Sequence, residues 1–363
     1  MFDRTRVLGM FGALGLLATV ISGCADSNPK ASTKPTPSGS AEATVQAASN
    51  APATTARTAV EPNGSQIPSP DGPFVVAEVP LANTIAYFPA VVGTGAGHRP
   101  YLGPETANVL GVAPDLFDTV KSSATIDATP LPTTSPRPVV ILTAGFSSPI
   151  ELSTSLAEQL ASHGYIVIAA QTDLAAEMAF GESDTFDQTF HKPRTEQLTQ
   201  LLDLLDNPAL PGLVGTIDQS RIAVGGHSYA GWIAFDTSLT DTRITAVFNL
   251  DGLGGQNRAH TTVPALAITS HDGIALNSEL VARSPKLVVV GLRDAGHYDL
   301  TDAPSIAKTL GDVASTLDLG TIGPIATSNT STVVLRFLDS TLTTNPRLPT
   351  PTELIKGLPS MTA

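Results

Sequence analysis

The chain of 363 residues has a single cysteine, Cys24, so no disulfide can form within it. Basic residues are scarce: 20 Lys and Arg stand against 33 Asp and Glu, for a net charge of -13. No stripe of Lys and Arg occurs, which argues against nucleic acid as a partner and leaves the acidic surplus as a solubilising surface. Metal-ligand spacing is missing as well. His98, His191 and His260 lie in loop-like stretches without a His-x-x-x-His or Cys partner, so a metal site is not expected. The one conspicuous terminal apolar run, Val7 to Ile21, is short for a membrane span. Against these absences stands a composition with 42% apolar residues, enough for a sizeable core, in a length that could hold one large or two ordinary domains.

Cys24 has an informative setting. Arg4 and Arg6 precede the apolar run, which ends in Ile21-Ser22-Gly23-Cys24. This resembles a bacterial lipoprotein signal peptide, which implies removal of residues 1–23, lipidation of Cys24 and attachment to the outside of the cell envelope. From there to residue 71 the sequence is Ala, Ser, Thr and Pro with hardly an aromatic, too little apolar surface to offset chain entropy. Residues 24–71 are expected to be a lipidated, disordered tether reaching on the order of 40 Å. The folded domain is assigned to 72–345, and 346–363 to a C-terminal tail.

The centre of that domain is Arg221-Ile222-Ala223-Val224-Gly225-Gly226-His227-Ser228-Tyr229-Ala230-Gly231. An apolar strand runs into Gly-x-Ser-x-small and then into the helical pattern of Trp232, Ile233 and Phe235, the pattern of a nucleophile elbow. A serine hydroxyl is a poor nucleophile until a base takes its proton, and a tight strand-to-helix turn holds its oxygen clear of the sheet for that base. Gly226 and Ala230 flank Ser228 where bulky side chains would collide, and Gly231 lets the helix approach the strand. His227 is assigned to packing at the elbow.

Other strands surround it. Residues 74–79 and 84–88 read as two edge strands. Residues 138–144 form a buried-type strand that stops at Gly145, so the Phe146 N–H can supply one oxyanion donor and the Tyr229 N–H a second. A helical pattern through Leu152, Leu156 and Leu160 ends at His163-Gly164 and leads to the strand 165–170, a crossover that implies a parallel sheet. The strand 244–250 delivers Asp251, the strand 264–270 delivers His271-Asp272, and the strand 286–292 precedes His297. All these side chains follow the carboxyl ends of strands, where open α/β sheets place their sites. The chain order Ser, Asp, His fits an α/β hydrolase, with a mostly parallel central sheet flanked by helices. His297, in a glycine-flexible loop after the last strand, is the preferred base over His271. Asp251 and Asp272 both end buried strands and both precede glycine, so either can serve as the acid.

Residues 74 to 340 resemble the plasma (type II) platelet-activating-factor acetylhydrolase branch of the α/β hydrolases, near bacterial lipase-like and cutinase-like esterases. Ala86-Tyr87-Phe88-Pro89-Ala90, Leu142-Thr143-Ala144-Gly145-Phe146, Ile217-Asp218-Gln219-Ser220-Arg221, Leu250-Asp251-Gly252 and Gly296-His297 carry the resemblance. It implies Ser228 as nucleophile, His297 as base, Asp251 as acid, and the Phe146 and Tyr229 amides as the oxyanion hole. It also implies cofactor-free hydrolysis of short acyl esters, including phospholipids with short or oxidised chains. Thr143-Ala144-Gly145 departs from the Ser-His-Gly common at the oxyanion strand, and Ala230 replaces the second glycine. Asp272 occupies the strand that carries the acid in the polyester-hydrolase relatives, so the two resemblances divide at this point. A cutinase-like or lipase-like hydrolase of polyesters or acylglycerols, and a non-catalytic envelope lipoprotein, are the alternatives.

Overall fold

A computed structural model describes residues 66–113, 115–180, 187–205, 213, 215–252, 260–270 and 278–363. The expected signal peptide, Cys24 and the tether up to residue 65 lie outside the described residues, as do His271 and Asp272.

In chain order the elements are β1 (Val75–Leu81), β2 (Thr84–Ala90), α1 (Pro104–Leu110), β3 (Thr125–Ile126), β4 (Arg137–Thr143), α2 (Thr154–Ser162), β5 (Ile166–Ala170), α3 (Leu174–Met178) and α4 (Lys192–Leu204). There follow β6 (Ile217–His227), α5 (Tyr229–Thr237), β7 (Ile244–Leu250), β8 (Ala265–Ser270), α6 (Ser278–Arg283), β9 (Leu287–Leu292), α7 (Ala303–Leu310), α8 (Ile325–Thr341), α9 (Pro351–Ile355) and β10 (Met361–Thr362). The strands form one sheet in the order β10-β9-β8-β7-β6-β4-β5-β2-β1-β3. From β5 to β9 all neighbours are parallel, while β1 and β2 pair antiparallel with each other and β2 with β5.

Parallel strands covered on both faces favour apolar residues at successive positions, which is why β5 is wholly apolar and β4 and β8 carry the apolar runs 138–142 and 265–268. Within β4 the alternation divides the core. Val140 and Leu142 face Leu156 and Leu160 of α2 and Val334, Phe337 and Leu338 of α8. Val139 and Ile141 face Leu198 and Leu202 of α4 and Trp232, Ile233 and Phe235 of α5. Helices on both faces of a largely parallel sheet make this the α/β-hydrolase fold.

One strand position and two boundaries differ from the sequence expectation. The β1–β2 pair was expected at an edge, but β2 lies inside the sheet between β1 and β5, because the short β3 and the β1 hairpin extend the sheet beyond it. Residues 66–71, assigned to the tether, belong to the domain: Ile67 is buried with Tyr101, Leu102 and Phe117, and the Gln66 N–H donates to the Ser305 carbonyl. The segment 346–363 is not a tail. Met361 pairs with Leu292 and is buried in the core, while Thr362 covers Gly291, where a Cβ would come within 2.5 Å of the Thr362 hydroxyl oxygen. A two-residue strand has no periodicity for a sequence to display, so its pairing could not be foreseen.

Candidate active site

Ser228 sits between β6 and α5 at φ 57° and ψ -126°, a conformation L-residues rarely adopt. Surrounding backbone holds it there. The Ser228 N–H donates to the Leu250 carbonyl at 2.8 Å, and the Ser228 carbonyl accepts from the Gly231 N–H at 3.1 Å. Close approach explains the small neighbours. A Cβ on Gly252 would lie 1.9 Å from the Ser228 carbonyl oxygen, and one on Gly231 would lie 2.4 Å from Asn249 Cγ of β7. A Cβ on Gly226 would lie 2.5 Å from the Thr143 carbonyl oxygen and 2.7 Å from the Ala230 methyl. Ala230 can therefore stand where glycine is usual, because its methyl occupies the space that Gly226 leaves.

The next strand delivers Asp251, in the left-handed region at φ 60°, a conformation that Asp tolerates better than most residues. Its Oδ2 accepts from His297 Nδ1 at 2.7 Å and from the Ser270 hydroxyl at 2.7 Å, and its Oδ1 accepts from the Ser270 N–H at 2.8 Å. Burial works to raise the Asp251 pKa. The hydrogen bond and charge of His297, with the two Ser270 bonds, outweigh it and hold the carboxyl below its ordinary value. An ionised carboxylate on Nδ1 fixes the imidazole tautomer and leaves Nε2 as the nitrogen that can take a proton. The His297 side chain keeps 24% of its surface exposed while that of Asp251 keeps 2%, so the imidazole opens to solvent and the carboxylate does not.

His297 is fixed on two further sides. Asp299 Oδ2 accepts from the Gly296 N–H at 2.6 Å and from the Gly320 N–H at 2.5 Å, which shapes the loop that carries the imidazole. The His227 Nε2–H donates to the His297 carbonyl at 2.8 Å, with the two rings 4.4 Å apart. Burial, and then the charge of His297, push the His227 pKa down to about 3, so this ring stays neutral.

Phe146 follows β4 and Tyr229 opens α5, whose N-terminal dipole favours developing negative charge. Their rings meet edge to face at 6.2 Å. Phe190 lies edge-on to both Phe146 and Phe180, at 5.1 and 4.7 Å.

The structure thus brings together Asp251 and His297 by direct contact, and Ser228 with them through the backbone of Leu250 and the ring of His227. The other described histidines are engaged elsewhere: His98 with the Ala124 carbonyl, His163 with Asp71, His191 with Asp236 and His260 with Arg283. Among the described residues no group of three or more His, Cys, Asp or Glu is arranged to hold a metal ion. Sequence reasoning passed over Ser270, Asp299, Arg194 and Glu177. Ser270 ends β8 directly before the His271-Asp272 pair, and its position at the carboxyl end of a strand was the available signal. Asp299 lies two positions after His297, while Glu177 and Arg194 lie on helices far from the elbow in the chain, and none of the three carried a sequence signal.

Comparison with known proteins agrees with this architecture. The family model described as chlorophyllase matches residues 112–292. Over 92 residues the chain is 34% identical to Cutinase 2 of Thermobifida cellulosilytica, a stretch covering 25% of this chain and 30% of that one. Cutinase cut1 of Thermobifida fusca matches with 34% identity over 92 residues, 25% of each chain. In both cases the match spans less than a third of the cutinase. A ferulic acid esterase from Streptomyces cinnamoneus superposes with a TM-score of 0.64 at 24% identity, over 82% of this chain and 99% of that one. That likeness concerns the fold.

Proposed function

We propose that this α/β hydrolase is a serine carboxylester hydrolase that cleaves short acyl esters through an acyl-enzyme. The Asp251–His297 hydrogen bond, in a strand-end loop beside the strained elbow of Ser228, carries this assignment. His297 Nε2 takes the Ser228 proton as Oγ bonds to the ester carbonyl carbon, and the Phe146 and Tyr229 N–H groups hold the oxyanion. The tetrahedral adduct then expels the alkoxide, which leaves as alcohol with the proton from His297. Water, deprotonated by the same imidazole, attacks the acyl carbonyl carbon and frees the acid and Ser228.

The aromatic edges of Phe146, Phe180 and Phe190 beside the oxyanion loop suit an apolar acyl or aryl group. The cutinase matches favour a second reading, in which the ester belongs to a polyester or an acylglycerol, over a phospholipid of the platelet-activating-factor type. In either case the domain works outside the cytoplasm of a bacterium, held to the envelope by lipid on Cys24. Hydrolysis of p-nitrophenyl esters from acetate to palmitate, alongside short-chain phosphatidylcholines and a polyester film, tests the assignment. Turnover that falls with chain length supports it. No turnover, with no labelling by a fluorophosphonate, would leave a non-catalytic envelope protein.

A further inference from the structure

Against the backbone of the oxyanion loop lies an ion pair that the reaction does not consume. Arg194 of α4 and Glu177 of α3 are 5% and 2% exposed in their side chains. They meet as a fork: Arg194 Nε donates to Glu177 Oε1 at 2.9 Å, and Nη2 donates to Oε1 at 2.6 Å and Oε2 at 2.7 Å. The rest of the pair's hydrogen-bonding capacity is spent largely on one stretch of backbone. Arg194 Nη1 donates to the Ala144 carbonyl at 2.7 Å and Nη2 to the Gly145 carbonyl at 3.2 Å, while the Ser147 N–H donates to Glu177 Oε2 at 2.9 Å. One further bond goes from Nη2 to the Thr172 hydroxyl at 3.3 Å.

These three backbone groups belong to three successive peptide units, and Phe146 lies at their centre. The unit that presents the Gly145 carbonyl to Arg194 is the one that carries the Phe146 N–H. Because no peptide bond among the described residues is cis, the N–H of that unit points opposite to its carbonyl. Holding the carbonyl therefore aims the N–H. A cation on the carbonyl oxygen also polarises the amide and makes its N–H a stronger donor. Ser147, at φ 51°, is in the left-handed region, and its bond to Glu177 keeps the chain turned there. The guanidinium further lies over the Tyr229 and Phe146 rings, 5.0 and 5.9 Å from their centroids, so it touches both residues that supply oxyanion donors.

A buried ion pair gives little net stability compared with apolar side chains of the same volume, which leaves geometry as what this pair supplies. We propose that Arg194 and Glu177 are positioning residues that aim and polarise the Phe146 N–H as an oxyanion donor. This rests on the esterase assignment above.

The test uses Arg194→Lys, which keeps the charge but loses the fork, and the double variant Arg194→Met with Glu177→Leu, which strands no buried charge. Each is assayed on a p-nitrophenyl ester and on the matching thionoester, whose carbonyl sulfur accepts poorly from N–H donors. With thermal unfolding confirming a folded protein, kcat for the oxoester should fall about a hundredfold, with KM little changed. The oxoester-to-thionoester rate ratio should fall with it. A folded variant with wild-type kcat, or one that loses kcat with the ratio unchanged, would overturn the clamp and leave the pair structural. Wild-type protein that hydrolyses no ester and takes up no fluorophosphonate would overturn the esterase assignment, and the clamp with it.

Discussion

The imidazole of His227 holds the backbone of His297 by donating from Nε2 to its carbonyl oxygen at 2.8 Å. The residue before Ser228 thereby fixes His297, and a pKa pushed down to about 3 keeps the His227 ring neutral. Replacing it should loosen the imidazole without disturbing the elbow. His227→Leu is expected to lower kcat about tenfold, the worth of one hydrogen bond, and His227→Gln to retain more activity because it keeps a donor. Steady-state kinetics on both variants checks this; equal losses in the two would show that packing alone matters.

Ser228→Ala deletes one oxygen at a position defined by backbone contacts, so the fold should survive. Turnover should fall by about a thousandfold or more, and fluorophosphonate labelling should vanish. Appreciable residual esterase activity would move the nucleophile elsewhere.

Asp251→Asn should cost about four orders of magnitude in kcat, since an amide cannot stabilise the imidazolium and favours the wrong tautomer. Asp272→Asn should stay within about tenfold of wild type. Acid stability follows from the same carboxylate. Its pKa is depressed in the fold, so the stabilisation is present above the unfolded value near 3.8 and disappears as pH falls through the lower folded value. Unfolding of Asp251→Asn and wild type between pH 2 and 6 should therefore converge at the acid end. A larger kinetic loss at Asp272 would transfer the acid role there.

Glu158 behaves in the opposite sense. It is fully buried in α2, where its Oε1 accepts from the Ser122 hydroxyl and the Ser123 and Ala124 N–H groups, and burial pushes its pKa up to about 7. The folded protein thus holds a proton that the unfolded chain releases near 4.5, and stability drains away as pH rises from there to about 7. Glu158→Gln removes the ionisation, so its Tm relative to wild type should climb between pH 5 and pH 7. A constant difference would mean that the carboxyl stays ionised throughout.

Cys24→Ala should block lipidation and release the protein from membrane fractions. The mature wild-type protein, analysed by intact mass, should begin at a diacylglyceryl-modified Cys24; a mature N-terminus elsewhere, without lipid, would remove the anchor.

Much of the site was legible because its parts are local. Gly226, Ser228 and Ala230 announce a strained turn wherever they occur between a buried strand and a helix, and Asp251 and His297 follow apolar runs that end abruptly. The extent of the domain was harder to read. Ile67 and Met361 are single apolar residues in polar surroundings, and only the partners they meet, Tyr101 in one case and Leu292 in the other, show that they belong to the core.

The chain by itself determined the parallel sheet, the elbow and the order Ser, Asp, His, because strand and helix periodicities and steric demands at a tight turn are written in neighbouring residues. Tertiary structure decided which described groups meet. It set Asp251 against His297 across 46 positions, brought Ser270 onto the same carboxylate, and carried Arg194 to the carbonyl of Gly145, 49 positions away. Contacts of that range depend on the register of strands and the docking of helices, and both are settled only when the whole core closes around them.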